Sequence, residues 1–238
     1  MKTVFITQAR SGSTRLPGKV LKVVEGKTLL EWFMERARRT SCDCLCVATT
    51  TNGADDGLAA LASSFDGVHV TRGSEEDVLA RYVQAARETE ADVVVRVTSD
   101  CPFFDWRLVD LCLFALGEND SEAVRTAFGA YPLGLDVEVY SREALERAGR
   151  EAREPQEREH VGPYLFRSHP ERFRLVWLRP GEKDPLWPDC RLTLDYAEDF
   201  ELVRRLYTSV GPLAEAEAYR RFLLGHPEAA ALNLHLSH

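Results

Sequence analysis

The sequence predicts a doubly wound α/β fold with a mostly parallel sheet, on three observations. Short apolar runs alternate with segments of helical period from Thr3 to Val97, the rhythm of successive βαβ units. The run Asp92-Val93-Val94-Val95-Arg96-Val97 is apolar without alternation, as expected of a strand covered on both faces. Between the first strand and the first helix lies Gln8-Ala9-Arg10-Ser11-Gly12-Ser13-Thr14-Arg15-Leu16-Pro17-Gly18-Lys19. Open α/β sheets bind ligands at such strand ends.

Thr3 to Thr7 reads as the first strand, and Leu29 to Arg39 as a helix with Thr28 as its N-cap. Cys44 to Thr50 is a second strand, Ala54 to Ser64 a helix and Val68 to Thr71 a third strand. Ser74-Glu75-Glu76-Asp77 has capping-box spacing and leads into the next helix. The run from Asp92 to Val97 is expected at the sheet centre, with a helix near Arg107 to Leu116 after it. The pattern then changes to Glu122 to Phe128, a turn at Pro132 and Gly134, and the alternating run Leu135-Asp136-Val137-Glu138-Val139-Tyr140. Two helices follow, one capped by Ser141 and one beginning near Pro155. Phe173 to Leu178, a loop rich in Pro, Gly, Asp and Trp, and a strand at Arg191 to Leu194 come next. Helices from Ala197 to Tyr207 and Leu213 to Leu224 close the chain. Without repeats or a low-complexity linker, one domain carrying an inserted lid or dimerisation element fits best.

Composition narrows the class. With 30 Lys and Arg against 38 Asp and Glu in 238 residues, the net charge of -8 argues against nucleic acid as a bulk partner. The first apolar run is too short for a signal peptide and nothing later approaches a membrane span, so a cytoplasmic protein without membrane association is expected. Cys42, Cys44 and Cys46 alternate as residues of one strand face do, and no CxxC pair occurs. Reduced, buried thiols are expected, not a disulfide framework or a zinc site.

Arg10, Arg15 and Lys19 concentrate positive charge in an acidic chain, and Gly12 and Gly18 let backbone N–H groups face a ligand, which suits a polyanion. Thr49, Thr50 and Asn52 at the second strand end suit a base or ribose. Thr98-Ser99-Asp100 ends the central strand, and Asp100 with Asp195 offers oxygen ligands to a hard divalent ion. The alternatives are that Asp100 and Asp195 cap helices, that Asp136 and Glu138 form the wet face of a hairpin, and that His160 is a surface residue. Gly12 to Lys19 misses the P-loop pattern, with five residues between its glycines and Val20 where Ser or Thr belongs. The dinucleotide fingerprint fails as well, for want of its second glycine. A glycosyltransferase would usually offer an Asp-x-Asp pair, which the chain lacks.

At Gln8 to Leu21, Gly73 to Tyr82, Arg96 to Pro102, Gly134 to Val139, Glu157 to Val161 and Arg191 to Asp195, the chain resembles the cytidylyltransferase family of CMP-KDO and acylneuraminate synthetases. Within it the sequence is most similar to the spore-coat polysaccharide biosynthesis protein F group. The resemblance implies a Rossmann-like nucleotidyltransferase domain over residues 1–238, with 128–190 as an inserted acceptor-binding or dimerisation element. It implies that a sugar hydroxyl attacks the α-phosphorus of CTP and releases pyrophosphate, with Mg2+ as cofactor, a small acidic sugar-like acceptor and a homodimer. Arg10, Gly12, Ser13, Arg15 and Lys19 would hold the triphosphate, with Lys19, Arg15 and Asp100 as the catalytic set. Ala9, Thr49, Thr50, Asn52, Thr98 and Ser99 would lie near the nucleotide, Asp100 and Asp195 would bind the metal, and Arg72, Asp136, Glu138 and His160 would face the acceptor. Another NTP, a phosphorylated acceptor or a catalytically silent nucleotide-binding subunit are the alternatives. Ser99 replaces the family's usual glycine, and Tyr196-Ala197 its usual Thr-Pro.

Overall fold

A computed structural model describes residues 1–236. The chain runs β1 (Thr3–Gln8), β2 (Val23–Val24), β3 (Lys27–Thr28), α1 (Leu29–Ala37), β4 (Cys44–Thr50), α2 (Asp56–Ser63), β5 (Val68–Gly73) and α3 (Val78–Glu88). It continues with β6 (Val93–Arg96), α4 (Trp106–Glu118), β7 (Ala123–Thr126), β8 (Glu138–Ser141), α5 (Arg142–Glu151) and α6 (Pro155–His160). Then follow β9 (Leu175–Leu178), α7 (Ala197–Val210), α8 (Ala216–Gly225) and α9 (Pro227–Ala230).

Seven strands form one sheet in the order β5-β4-β1-β6-β8-β7-β9. The β1–β4, β1–β6, β4–β5 and β7–β9 pairs are parallel, while β8 runs antiparallel to both β6 and β7. The expected central strand, β6, stands fourth of seven. Its alternate residues feed two different cores: Val93 and Val95 pack with Phe5, Phe33 and Phe104, and Val94 packs with Ile6, Tyr82 and Leu165. That is why its sequence is apolar throughout.

Strand order reverses at β1, with β4 and β5 on one side and β6 on the other. The reversal opens a crevice beyond the carboxyl ends of β1 and β6. A third apolar cluster around Phe103, Leu194, Tyr207 and Tyr219 seats the carboxy-terminal helices beside it.

Two expectations are corrected. Ser74 does not cap α3: Asp77 accepts from Ala80 N (2.9 Å), and Ser74 Oγ holds Asp77 N (3.1 Å). Arg191 to Leu194 is not a strand; Arg191 makes a single bridge to Leu133. The segment lies extended because Leu192 N donates to Leu133 O and Leu194 N to Asp100 O, both at 2.8 Å. Gly134 permits this contact, since a Cβ there would stand 2.5 Å from the carbonyl carbon of Leu192. The alternative of a wet hairpin face does not hold for Glu138, which is buried in β8 inside the sheet, while Asp136 precedes β8 and stays part-exposed. The segment 128–190 supplies β8 and β9 to the main sheet.

Candidate active site

The loop after β1 is pinned from below. Ser11 N and Oγ donate to Asp55 Oδ1 at 2.7 and 2.6 Å, Gly18 N returns to Ser11 O at 3.1 Å, and Leu16 N donates to Ser13 Oγ at 3.3 Å. Gly18 adopts φ 63°, a left-handed conformation that admits glycine without strain. The chain then turns into a short 3-10 helix, Lys19–Leu21, and Lys19 projects back over the crevice.

Lys19 Nζ donates to Asp100 Oδ2 at 2.8 Å, to Asp195 Oδ1 at 3.0 Å and to Leu194 O at 2.9 Å. Its side chain is 14% exposed, so it is a part-buried bridge and not the exposed charge that the loop composition suggests. Burial works against the ammonium, but the two carboxylates outweigh it and raise its pKa above the ordinary lysine value. Lys19 in turn holds Asp100 below the ordinary carboxylate range against the opposing effect of burial.

Both aspartates are also fixed from the Arg191–Asp199 segment, Asp100 through its backbone carbonyl and Asp195 through its carboxylate and its N–H. Leu194 N and Thr193 Oγ1 donate to Asp100 O, at 2.8 and 3.2 Å. Arg191 Nη2 holds Asp195 Oδ2 at 2.8 Å, Arg191 Nε holds Asp199 Oδ1 at 3.0 Å, and Asp199 Oδ2 accepts from the backbone of Asp195 and Tyr196. Neither site aspartate serves as a helix cap: Asp105 caps α4, accepting from Arg107 N at 3.0 Å, and Asp199 serves the start of α7. Arg191 and Asp199 were missed in the sequence, although their i, i+4, i+8 spacing with Asp195 was a usable signal.

Arg15 completes this end of the cleft, donating to Asp195 Oδ1 at 3.0 Å while its guanidinium lies over the Tyr196 ring at 5.0 Å. Tyr196 therefore sets Arg15, which explains its bulk at that position. Ser99 turns its hydroxyl back to Gln8 O (2.7 Å) and ties the β6 loop to the end of β1.

The cleft encloses about 1150 Å³. It gathers Ala9, Arg10, Ser13, Arg15, Lys19, Thr98, Ser99, Asp100, Asp195, Asp136, Glu138 and His160. Gly12, Thr49, Thr50, Asn52 and Arg72 do not line it. Thr49 and Thr50 are buried, Thr50 Oγ1 bonds Asp55, and Asn52 caps the short 3-10 helix Gly53–Asp55 by accepting from Ala54 N at 3.0 Å. Arg72 is drawn away by Thr50 O (2.8 Å), Asn52 O (3.1 Å) and Asp56 (2.7 Å). The physical reason is shared: that 3-10 helix folds Asp55 under Ser11 and leaves the end of β4 one layer behind the crevice.

The far end of the cleft is cationic. Glu138 is buried between Arg96 (2.6 Å) and Arg125 (3.1 Å), which hold its carboxyl below the ordinary range although burial opposes them. Arg125 also reaches Asp136 at 3.5 Å, where burial prevails and raises the carboxyl pKa. The Phe128 ring has Arg125 at 3.8 Å and Arg167 at 4.9 Å. His160 ends α6 before Val161, whose φ of 64° is unusual for a β-branched residue and whose turn is closed by Gly162 N to His160 O at 2.7 Å. The roles of Arg96, Arg125 and Arg167 escaped the sequence reading because single cations, two in strands and one in the helical turn Tyr164–Ser168, carry no motif.

A cytidylyltransferase family model matches residues 4–220. The chain is 37% identical over 235 residues to the spore coat polysaccharide biosynthesis protein SpsF of Bacillus subtilis, covering 95% of this chain and 96% of that one. It is similar to a cytidylyltransferase structure from Leptospira borgpetersenii, with a TM-score of 0.89 and 30% identity over the whole of both chains. A structure of CMP:2-keto-3-deoxy-manno-octonic acid synthetase complexed with CTP shares the fold, with a TM-score of 0.66, 20% identity and coverage of 87% and 99%. These matches agree with the Rossmann-like α/β sheet: the chain belongs to the cytidylyltransferase family of nucleotidyltransferases.

Proposed function

We propose that the chain transfers CMP from CTP to a small acidic sugar of the kind used in surface polysaccharides. The acceptor hydroxyl attacks the α-phosphorus, the bond to the β-phosphate breaks and pyrophosphate leaves. The observation that carries this reading is the convergence of Lys19 on Asp100 and Asp195 at 2.8 and 3.0 Å. A catalytically silent nucleotide-binding subunit has no need of that arrangement.

Arg10, Arg15 and Lys19 would bind the triphosphate and offset charge as the transition state forms, with Gly12 and Ser13 shaping the turn. Asp100 and Asp195 would hold a divalent cation, taken here as Mg2+. Their chemistry fits: both are hard oxygen donors that converge on one point of the cleft, and two carboxylates suit an ion that completes its shell with water and substrate phosphate. When bound, the cation neutralises charge on the phosphates.

The acceptor would lie at the Arg125, Arg167 and Phe128 end, beside Asp136 and His160. Arg167 has no ion pair among the described residues, which suits a carboxylate. Asp136 would orient acceptor hydroxyls, whereas Glu138 positions Arg96 and Arg125 and is not itself open to substrate. Pyrophosphate release from CTP and Mg2+ against a panel of acidic sugars tests the reading; release with none of them, but with neutral or phosphorylated acceptors, would contradict it. A homodimer is the assembly expected from the family resemblance, and sedimentation would measure it. Among the described residues, no helix is long and apolar enough to cross a membrane.

A further inference from the structure

One arginine of the cleft is buried with unfilled donors. Arg81, on α3, is 2% exposed and lines the cleft together with Arg10 and Glu75. Its Nε and Nη1 are buried without a hydrogen-bond partner among the described residues. Two carboxylates act on it electrostatically, Asp55 and Glu75, yet both are engaged elsewhere. Asp55 accepts from Ser11 and Thr50, and Glu75 accepts from Arg10 and Asn52. A buried charge with open donors destabilises the free protein, so its retention calls for a ligand that fills them.

The surroundings select the ligand's chemistry. Lys19, Arg15 and the two site aspartates meet at the other end of the loop that starts at Arg10, so the triphosphate belongs there. At Arg81 itself, Asp55 and Glu75 offset the charge, which disfavours a phosphate on its guanidinium and suits a neutral acceptor. A guanidinium offers donors only. Cytosine presents O2 and N3 as adjacent acceptors, whereas N3 of uracil carries a hydrogen that would confront an Arg81 N–H.

We propose that Arg81 reads the pyrimidine, donating to O2 and N3 of cytosine and rejecting uracil. The proposal rests on the reading of this cleft as a CTP site. It makes Arg81 a specificity residue that acts through the base and contributes little to holding phosphate.

Calorimetric titration with Mg2+ and, separately, CTP, UTP and inorganic tripolyphosphate tests it in the wild-type chain and in the Arg81→Lys and Arg81→Gln variants. In the variants CTP affinity falls about 10- to 100-fold, the loss expected for hydrogen bonds from a charged donor. The preference for CTP over UTP collapses toward unity and tripolyphosphate affinity is retained. An unchanged CTP-to-UTP ratio in a folded variant overturns the proposal. So does a parallel loss of tripolyphosphate affinity, which makes Arg81 a phosphate ligand. Should both variants fail to fold, 3-deaza-CTP on the wild-type chain supplies the answer, because it lacks the N3 acceptor: weakened binding supports the assignment and undiminished binding refutes it. A wild-type chain that binds tripolyphosphate but takes CTP and UTP equally refutes the reading of the site as CTP-selective before any variant is made.

Discussion

Lys19 and Asp195 are separated by 176 residues and meet at 3.0 Å. The loop after the first strand and the start of the carboxy-terminal helical segment are therefore held together by two ion pairs on Asp195, from Lys19 and Arg15, with Asp100 from the end of the central strand on the Lys19 ammonium. A polyanion approaching this point meets cations already fixed in place, so little reorganisation accompanies charge stabilisation.

Replacing Lys19 by alanine is expected to reduce turnover about 10²- to 10³-fold, the effect of losing one preorganised electrostatic contact. Because Lys19 also separates two carboxylates, the variant's melting temperature should fall as well. Pyrophosphate-release kinetics and thermal unfolding measure the two effects; wild-type turnover would remove Lys19 from the catalytic set.

Arg191 neutralises two buried carboxylates, Asp195 and Asp199, at 2.8 and 3.0 Å. Arg191→Ala leaves buried Asp199 without its cation and Asp195 with only Lys19 and Arg15, and should cost about 3–5 kcal/mol of stability, the range for breaking a buried pair. Urea unfolding gives the value, and a loss below about 1 kcal/mol, the scale of exposed pairs, would show that the network is not what places Asp195.

Glu138 gives the fold an acid-sensitive contact. Its pKa is depressed in the folded state by Arg96 and Arg125, so its stabilising contribution is complete above the ordinary glutamate value of about 4.3 and is lost as pH falls through the lower folded value. Unfolding free energy measured from about pH 6 to about pH 3 should decline less steeply in Glu138→Gln than in the wild type. Parallel declines would contradict the assignment.

Asp136 and Glu138 separate cleanly although only one residue lies between them. Asp136→Ala should raise the acceptor KM about tenfold or more, as expected for a lost charged hydrogen bond, with CTP affinity kept. Glu138→Ala should destabilise the whole chain, since it strands two arginines. Equal loss of CTP and acceptor binding in Asp136→Ala would move Asp136 out of the acceptor end.

Apart from the two-residue strands β2 and β3, the order of strands and helices was legible through residue 118, because the two periodicities of strand and helix are strong there. Lys19, Asp100 and Asp195 were legible from motif and position. The antiparallel placement of β8 was not, since the alternation of Leu135 to Tyr140 describes a half-exposed hairpin equally well. Glu138 and Tyr140 are polar in sequence yet buried, satisfied by Arg96, Arg125 and each other. The threonines of β4 were misplaced because a strand end marks the crevice only if nothing folds over it, and the 3-10 helix carrying Asp55 does. Arg81 sits mid-helix, where only its burial in three dimensions distinguishes it from a solvated charge.

Calorimetric titration of CTP with and without Mg2+, into wild-type chain, Asp100→Asn and Asp195→Asn, tests the central claim most directly, namely that the loop cations and the two distant carboxylates form a single metal-triphosphate site. Mg2+ is expected to strengthen CTP binding in the wild type, and either substitution to abolish that increment while the chain remains folded. An increment of wild-type size in both folded variants would contradict that claim.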